Sequence, residues 1–596
     1  MLESRGINIR RNLKLIYVLI AASGVYIFSQ WDALTNPYVI GDDVRQQIFW
    51  MQKWSDPELF TDDLLTEYAM NYVPWGVKAI YVATHSFINP LQFSSILSGI
   101  LFVLTAGFLF GLGLRLGDQL TSVLTVCLYC FLGHFMENIT SGVSRSFAYP
   151  LLAAYLFFLS AKNLIGTGAV ILLASVLNPY IFLLCLVTQA LFLIHHYWPA
   201  IASWLPGYVR FKYFSRPRLS KSEPFIERIH SDADFLQPDR FDNGPLRHSS
   251  IVISILLAGS GGFFFLLRYF FFSTNTFGTL VTPGDMIGHA EYSAVGRYEI
   301  FPQPSFLTEI IHPWIFNLPF IQWGPLPAWF FALVGLAIIG YAVCSRRKLV
   351  MDLSILRVLG YLLVSSLLLY VAARIFIFRL FVPSRYIEFS FNIFFCLVIA
   401  KCLRVAMVGW VSDRTIFPLL TTLLIILASL QVYHVGVFDY SNDAKLYRFF
   451  DTTPKNVLIA GHPEVMDNVL TFARRKAFVT YELSHTWYAS YWNVIKKRTF
   501  DFFRAYYSGD PRDIYSFCRK NGIDYLVVRD SDFSEEKLKK GGLYFEPFDS
   551  FIRDLAKSQI NFALLDRKTF PPIYEAGGIR VIKTDYERDA DGAGRL

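Results

Sequence analysis

Residues 91–114 read LQFSSILSGILFVLTAGFLFGLGL, a run of apolar and small residues that contains no charged side chain. The hydrocarbon core of a bilayer is about 30 Å thick, and an α-helix crosses it with about 20 predominantly apolar residues. Residues 91–114 therefore predict a transmembrane helix, and the recurrence of such runs decides the architecture of the chain.

Comparable apolar runs recur up to residue 438. They predict further spans near residues 13–30, 119–135, 147–161, 166–177, 180–200, 249–272, 326–344, 353–373, 386–403 and 416–435. The composition agrees, because 54% of the 596 residues are hydrophobic and only 17% are charged, against about 25% in soluble domains. The sequence predicts an α-helical polytopic membrane bundle of about eleven transmembrane helices over residues 1–438.

Two of these runs, 147–161 and 166–177, are short, and Asn178-Pro179 follows them. Proline cannot continue a helix without losing a backbone hydrogen bond. This dipeptide therefore predicts a hairpin turned at the membrane face.

Lysine and arginine are unevenly distributed between alternate loops. The N-terminus and the loop at 203–248 are rich in cations, whereas the loops at 31–75 and 273–325 hold few, with Arg297 alone in the latter. Cytoplasmic loops of membrane proteins carry the excess of positive charge. The pattern predicts a cytoplasmic N-terminus and 203–248 loop, two extracytoplasmic loops and, with an odd number of spans, an extracytoplasmic C-terminus.

From residue 439 the composition becomes that of a water-soluble domain. Strand-like runs alternate with helical ones, at 456–460, 463–475, 476–480 and 524–528. This alternation predicts an α/β domain with a largely parallel sheet over 439–585, and the polar tail 586–596 is predicted to be disordered. The net charge of +8 forms no basic patch, so no nucleic-acid partner is expected.

The first outer loop contains an acidic pair, Asp42-Asp43, within the segment 41–54. Val44, Ile48, Met51 and Trp54 follow a helical spacing, which predicts an amphipathic helix lying on the membrane surface. Asp43 with Gln46 three residues later is a capping-box pattern, so the pair has a purely structural interpretation. A cap needs only one carboxylate, however, which leaves a functional role open for the other.

An acidic pair placed just after the first helix and opening a surface helix resembles the GT-C superfamily of membrane glycosyltransferases. The protein O-mannosyltransferases and the bacterial aminoarabinose transferases are the nearest in pattern. The segment Arg145–Pro150 before a short helix, the Asn178-Pro179 break and an outer C-terminal domain are similar to that group as well. The resemblance implies a multi-pass protein of a bacterial inner (plasma) membrane. It also implies transfer of a sugar from a polyprenyl-phosphate donor to a glycan, lipid or protein acceptor.

In that family the first acidic residue of the pair contacts the acceptor. Carried over, Asp42 is expected to act as general base on an acceptor hydroxyl or amine, with Asp43 supporting it or binding a divalent cation. Metal use varies among these enzymes, so the resemblance leaves the metal open.

The lipid phosphate that departs in such a reaction needs cations, and the candidates are Arg145, Arg374, Arg379 and Arg385. An arginine can bind phosphate oxygens in a bidentate way, but Arg385 beside Tyr386 is equally explained as an interfacial anchor. Glu137 and, in the second outer loop, His289 and Glu291 are accessory candidates that solvation alone would also explain.

Two rival functions stay open: a transporter or flippase of lipid-linked glycans, and a non-catalytic envelope assembly protein. A transporter should carry ionisable residues near the midplane of its helices, whereas most charges here cluster at helix ends and in outer loops. No glycine-rich phosphate loop occurs, so a nucleotide-sugar site is not predicted. The aromatic segment 487–492 differs from the Trp-Trp-Asp-Tyr-Gly signature of oligosaccharyltransferases, which disfavours asparagine-linked transfer.

Overall fold

The computed structural model describes residues 2–204, 247–271, 277–301, 303–309, 325–344, 353–380, 382–407, 416–559 and 561–584. Most of the predicted 203–248 loop and the predicted tail 586–596 lie outside the described residues. Up to residue 438 the α-helices are Leu2–Ser29, Trp31–Thr35, Asp42–Gln47, Leu64–Tyr72, Trp75–Thr84, Pro90–Leu116, Gln119–Phe131, Gly133–Ile139, Ala148–Ser160, Leu164–Leu177, Pro179–Trp204, His248–Phe271, Pro283–Met286, Pro325–Cys344, Leu353–Ile375, Ser384–Ala406 and Ile416–Gln431.

Each apolar run that predicts a span, except 119–135, coincides with one helix. Five helices of the described residues are long and apolar enough to cross a membrane: Pro90–Leu116, Pro179–Trp198, His248–Arg268, Ile355–Ile375 and Ser384–Ala406. The predicted single span at 119–135 is instead a pair of helices bent by 67° between Phe131 and Gly133, which would make a sixth crossing. The apolar helices are those of a membrane protein, while the count of about eleven spans stays a prediction.

Helix Pro90–Leu116 shows how the bundle separates its core from its outer surface. Ile96, Ile100 and Leu104 are 41–50% exposed and follow one another at intervals of four residues, whereas Leu101 and Leu109 on the other side are buried. Residues four apart lie on one face of an α-helix. This exposed apolar stripe is the surface that a lipid-facing helix presents.

The predicted break at Asn178-Pro179 is confirmed. Helix Leu164–Leu177 ends there and the next helix begins at Pro179. The Asn178 side chain accepts a hydrogen bond from the Ile181 amide (3.1 Å) and donates to the Ser144 carbonyl (2.9 Å). Asn178 thus caps the new helix and ties it to the loop that carries Arg145.

A two-stranded ribbon connects the first outer loop to the C-terminal part of the chain. Strand β1 (Val39–Ile40) pairs antiparallel with β2 (Phe438–Asp439). The register sets Val39 opposite Asp439 and Ile40 opposite Phe438. The ribbon thus holds the segment before Asp42 against the segment before Tyr440, and the Tyr440 hydroxyl reaches Asp42.

The C-terminal part contains a five-stranded sheet in the order β4-β3-β5-β7-β6. The strands are β3 Leu458–Ala460, β4 Lys476–Ala477, β5 Tyr525–Arg529, β6 Tyr574–Ala576 and β7 Ile579–Lys583. The helices around it are Ala444–Asp451, Pro463–Asn468, Ala489–Tyr506, Pro511–Asn521, Glu535–Lys540 and Phe548–Ser558.

The sequence predicts a largely parallel sheet, but only two of the four strand pairs are parallel. Strand β3 pairs in parallel with β4 and β5, but β7 runs antiparallel to β5 and to β6. The β6–β7 hairpin turns through Gly577 and Gly578, which both have positive φ, the conformation that two-residue hairpin loops require. The predicted helix at 463–475 is also shorter, since it ends at Asn468 and a π-helical turn follows at Val469–Ala473.

Candidate functional site

The acidic pair opens a short helix that the C-terminal part of the chain covers. Helix Asp42–Gln47 has Gly41 as its N-cap, and no side chain caps it, so the predicted capping box of Asp43 with Gln46 is wrong. Gln46 instead donates to the Glu482 carbonyl (3.1 Å) and lies 2.8 Å from His485 Nε2. Both acids still lie in the first turn, where the helix dipole favours negative charge.

The predicted surface helix over the segment 41–54 is wrong as well. The α-helix ends at Gln47, and Phe49–Trp54 forms a 3-10 helix. Val44, Ile48 and Met51 have no exposed surface, because residues of the C-terminal part pack against them. The periodicity therefore reflects a buried interface between two parts of the protein.

Gly41 allows a second loop to approach the acidic pair. A Cβ atom at Gly41 would lie 1.9 Å from the Ser141 hydroxyl oxygen. Ser141 and Gly142 both have positive φ (88° and 62°), which turns the loop beneath Gly41. This turn directs the following 3-10 helix, Ser144–Phe147, toward Asp43.

Arg145 in that 3-10 helix forms an ion pair with Asp43, with 3.0 Å between Nη2 and Oδ2. About a quarter of each side chain is exposed, 25% for Arg145 and 24% for Asp43. The Nε of Arg145 is buried and has no hydrogen-bond partner among the described residues. One predicted phosphate ligand and one acid of the pair therefore share a site.

Arg385 lies close enough to Asp43 for their charges to interact. It is the second residue of helix Ser384–Ala406, and its Nη1 donates to Asn138 Oδ1 and Glu388 Oε2, both at 3.0 Å. Asn138 is 3% exposed, so the Asn-Ile-Thr sequence at 138–140 is not an accessible glycosylation site. Arg385 thus joins Arg145 on the same side of the acidic pair.

The other predicted site residues are not brought to the pair by any contact of the described residues. Arg374 bonds Gln303 (2.7 Å) and lies 3.4 Å from Glu309, while Arg379 and Glu137 are exposed. Glu291 is buried and accepts from Lys496 (2.7 Å) and Trp492 (2.9 Å), with His289 4.0 Å away. Glu291 therefore joins the second outer loop to the helix Ala489–Tyr506.

Two cations that the sequence analysis does not single out donate to backbone carbonyls of the segment 70–72. Arg268 Nη2 donates to the Tyr72 carbonyl (2.6 Å), and Lys78 Nζ donates to the Met70 carbonyl (3.2 Å). Burial and then the charge of Arg268 lower the pKa of Lys78. No carboxylate of the described residues lies within ion-pairing distance of either cation. Arg268 could have been found as an arginine within an apolar run, where an ionisable residue is costly.

Tyr72 connects these cations with the acidic pair. Burial and then the charge of Asp43 raise the pKa of Tyr72 well above its ordinary value, and Arg268 acts on the same phenol in the opposite direction. Asp43, Tyr72 and Arg268 are therefore neighbours. The negative charge of Asp43 and the positive charge of Arg268 thus both act on this phenol.

Asp42 faces the C-terminal part of the chain. It is in ion-pair contact with Arg45 and accepts a hydrogen bond from the Tyr440 hydroxyl (3.1 Å). Burial opposes its ionisation, but the charge and hydrogen bond of Arg45 and the hydroxyl of Tyr440 outweigh burial, so the pKa of Asp42 lies below its ordinary value. Asp42 is consequently ionised at neutral pH while 42% of its side chain stays exposed.

The described residues contain no group of three or more His, Cys, Asp or Glu side chains arranged to hold a metal ion. Arg45 and Arg145 each contact one acid of the pair.

No protein-family model matches the chain, and no curated protein sequence matches it. Among solved structures, an Archaeoglobus fulgidus oligosaccharyltransferase in complex with zinc and sulfate is 12% identical, with 91% of this chain and 70% of that chain covered at a TM-score of 0.47. AglB from Archaeoglobus fulgidus in complex with an inhibitory peptide and a dolichol-phosphate is 14% identical (88% and 70% covered, TM-score 0.46). ArnT from Cupriavidus metallidurans bound to undecaprenyl phosphate is 11% identical (98% and 99% covered, TM-score 0.46).

These proteins are members of the GT-C superfamily, the family that the acidic pair resembles. Their identities to this chain are 14% or less and their TM-scores are 0.47 or less, so the similarity concerns the fold and not the activity. What the site can do follows from its own residues. The site combines an ionised, accessible carboxylate with guanidinium and ammonium groups, which suits proton abstraction near a departing anion.

Proposed function

We propose that this chain transfers a sugar from a polyprenyl-phosphate donor to a glycan, lipid or protein acceptor at the outer face of the membrane. The observation that carries the proposal is the convergence of Asp43 with Arg145, at 3.0 Å, and with Arg385 and the Tyr72–Arg268 contact. Acid and cations from four separate segments meet at one place, as a group transfer from a phosphate requires.

In the proposed reaction the acceptor oxygen or nitrogen attacks the anomeric carbon of the sugar. The bond from that carbon to the lipid phosphate breaks, its electron pair stays on the phosphate, and Asp42 takes the acceptor proton. Asp43 orients the pair through Arg145. The phosphate is bound by Lys78 and Arg268, because these cations have no carboxylate partner among the described residues. Arg145 and Arg385 add positive charge near Asp43.

The position of the cations supports surface chemistry over transport. Arg385 is the second residue of its helix, and Arg268 and Arg374 lie in the last turns of theirs. A transport pathway would place ionisable groups near the midplane of the helices. The site instead lies where helix ends meet the outer loops and the C-terminal part.

Mass spectrometry of envelope glycans tests the proposal. A deletion strain should lose one sugar from a glycan, lipid or protein, and a plasmid copy of the chain should restore it. The purified chain should also bind undecaprenyl phosphate more tightly than undecaprenol, since the cations recognise the phosphate. An unchanged set of glycans together with equal binding of both lipids would refute the function.

A further inference from the structure

We propose that Glu482 is a positioning residue for Asp42, whose carboxyl group holds a proton against the Asp42 carboxylate and so completes the acidic site from the C-terminal part of the chain. The inference rests on the proposed function, because it takes Asp42 as the base. It concerns a residue far from the membrane helices in sequence and absent from the motif of the first outer loop.

The two carboxyl groups are held together by one guanidinium. Arg45 Nη2 contacts Asp42 Oδ1 and lies 3.5 Å from Glu482 Oε1. A single nitrogen of Arg45 thus lies against both carboxyl groups and brings the two acids into one site. Two carboxylates that share a site repel each other, so such a pair retains one proton.

The far side of Glu482 is fixed by the second outer loop and by its own domain. Arg297 Nη2 lies 3.7 Å from Glu482 Oε2, and the Arg297 guanidinium stacks on the Tyr481 ring with 4.1 Å to the centroid. The Glu482 amide donates to Asp467 Oδ1 (3.0 Å). Only 8% of the Glu482 side chain is exposed, so three segments of the chain define its orientation.

The charges around Glu482 do not balance without a proton. The titratable and charged groups that face it are Arg45, Arg297, Asp42, Asp467, Tyr298, Tyr440 and Tyr481, with His485 close by. Three carboxyl groups stand against two guanidinium groups, because burial and then Arg297 hold the pKa of His485 well below its ordinary value and keep it neutral.

In this proposal the proton of the pair belongs to Glu482. Burial, then the charges of Asp467 and Asp42, raise the pKa of Glu482 well above its ordinary value, whereas the pKa of Asp467 is raised to about 7. As pH rises through the pKa of Glu482, the hydrogen bond to Asp42 is replaced by repulsion. Transfer should therefore fall on the alkaline side.

Substitutions of Glu482 separate positioning from a merely structural ion pair. Gln in Glu482→Gln keeps a hydrogen-bond donor at every pH, so this variant should retain transfer at neutral pH and lose the alkaline fall. Glu482→Ala removes the donor and should lower transfer by about 10- to 100-fold, as for a lost hydrogen bond to a charged group. Identical pH profiles for wild type and Glu482→Gln would overturn the positioning role.

An infrared pH titration of the purified full chain tests the shared proton without any assay of transfer. Because Asp467 also holds a proton up to about pH 7, the titration is done on chains that carry Asp467→Asn. The Asp467→Asn chain should keep a carboxylic-acid band at neutral pH. Addition of Glu482→Gln should weaken that band, and addition of the matched control Glu464→Gln, at a half-exposed carboxylate, should leave it unchanged. If the band is unchanged in both variants, the shared proton is refuted. A chain that transfers no sugar would instead refute the proposed function and with it the positioning role, whatever the bands show.

Discussion

Asp43 and Arg145 form an ion pair, with 3.0 Å between Oδ2 and Nη2. It links helix Asp42–Gln47 to the 3-10 helix Ser144–Phe147, and Asn138 in the preceding helix Gly133–Ile139 accepts a hydrogen bond from Arg385. Charged side chains from otherwise separate helices are thereby held in one site.

The close approach at Gly41 should be essential for this ion pair. Gly41→Ala would place a methyl group 1.9 Å from the Ser141 oxygen, so the loop that carries Arg145 must move. We expect sugar transfer to fall sharply while membrane insertion persists. Gly24→Ala is the matched control, because nothing lies within 4 Å of a Cβ there. Equal activity of the two variants would show that the approach at Gly41 is unimportant.

Lys78 and Arg268 should dominate recognition of the lipid phosphate. A hydrogen bond to a charged group is worth about 1.5–3 kcal/mol, so Lys78→Ala and Arg268→Ala should each weaken binding of undecaprenyl phosphate by about 10- to 100-fold. Binding of undecaprenol should be unaffected. Arg379→Ala, at an exposed arginine, is the control and should bind like wild type. Equal losses in all three variants would point to a nonspecific effect of charge.

Asp467 should make stability depend on pH. Burial raises its pKa to about 7, so the protonated form stabilises the fold below the ordinary pKa of aspartate, and this contribution is lost as pH rises through about 7. Asp467→Asn stays neutral throughout. Its unfolding temperature relative to wild type should therefore increase between about pH 5 and about pH 8. The exposed Asp554→Asn is the control, and a constant difference for Asp467→Asn would contradict the assignment.

Apolar runs predict helices well because a membrane-spanning helix must be apolar along its whole length. The break at Asn178-Pro179 was also predictable, because proline has no backbone N–H and leaves a carbonyl of the helix unpaired. The bend between Phe131 and Gly133 was not, because no proline marks it. The β6–β7 hairpin could have been found from Gly577-Gly578.

The candidate site was predictable only on one side. The acidic pair carries a motif, and Arg145 and Arg385 flank apolar helices where a cation is costly. The prediction of a surface helix over 41–54 is wrong. A segment buried under the C-terminal part of the chain shows the same spacing of apolar residues as a helix that lies on lipid. Lys78 and Glu482 could not be predicted as site residues, because only contacts with residues distant in sequence bring them to the site.

The distribution of cations predicts the topology. Reporter fusions at residue 230 and at the C-terminus should give opposite signals, with the C-terminal fusion outside the cytoplasm. The physical reason is that the positive charge of the 203–248 loop keeps this loop on the cytoplasmic side. Matching signals would show that the number of spans between residue 230 and the C-terminus is even, and the predicted five would be wrong.

Substitution of Asp42 tests the central claim most directly. Asp42→Asn keeps the size of the side chain, and no cap is lost because Gly41 is the N-cap. Its neutral amide cannot take the acceptor proton, so transfer should fall by about 10²–10⁴-fold at matched membrane abundance. Asp43→Asn breaks the contact with Arg145 and should cost less. The measurement is glycan mass spectrometry of a deletion strain that carries each variant. Loss of the sugar with Asp42→Asn is the predicted result, and wild-type glycans with Asp42→Asn would contradict the account.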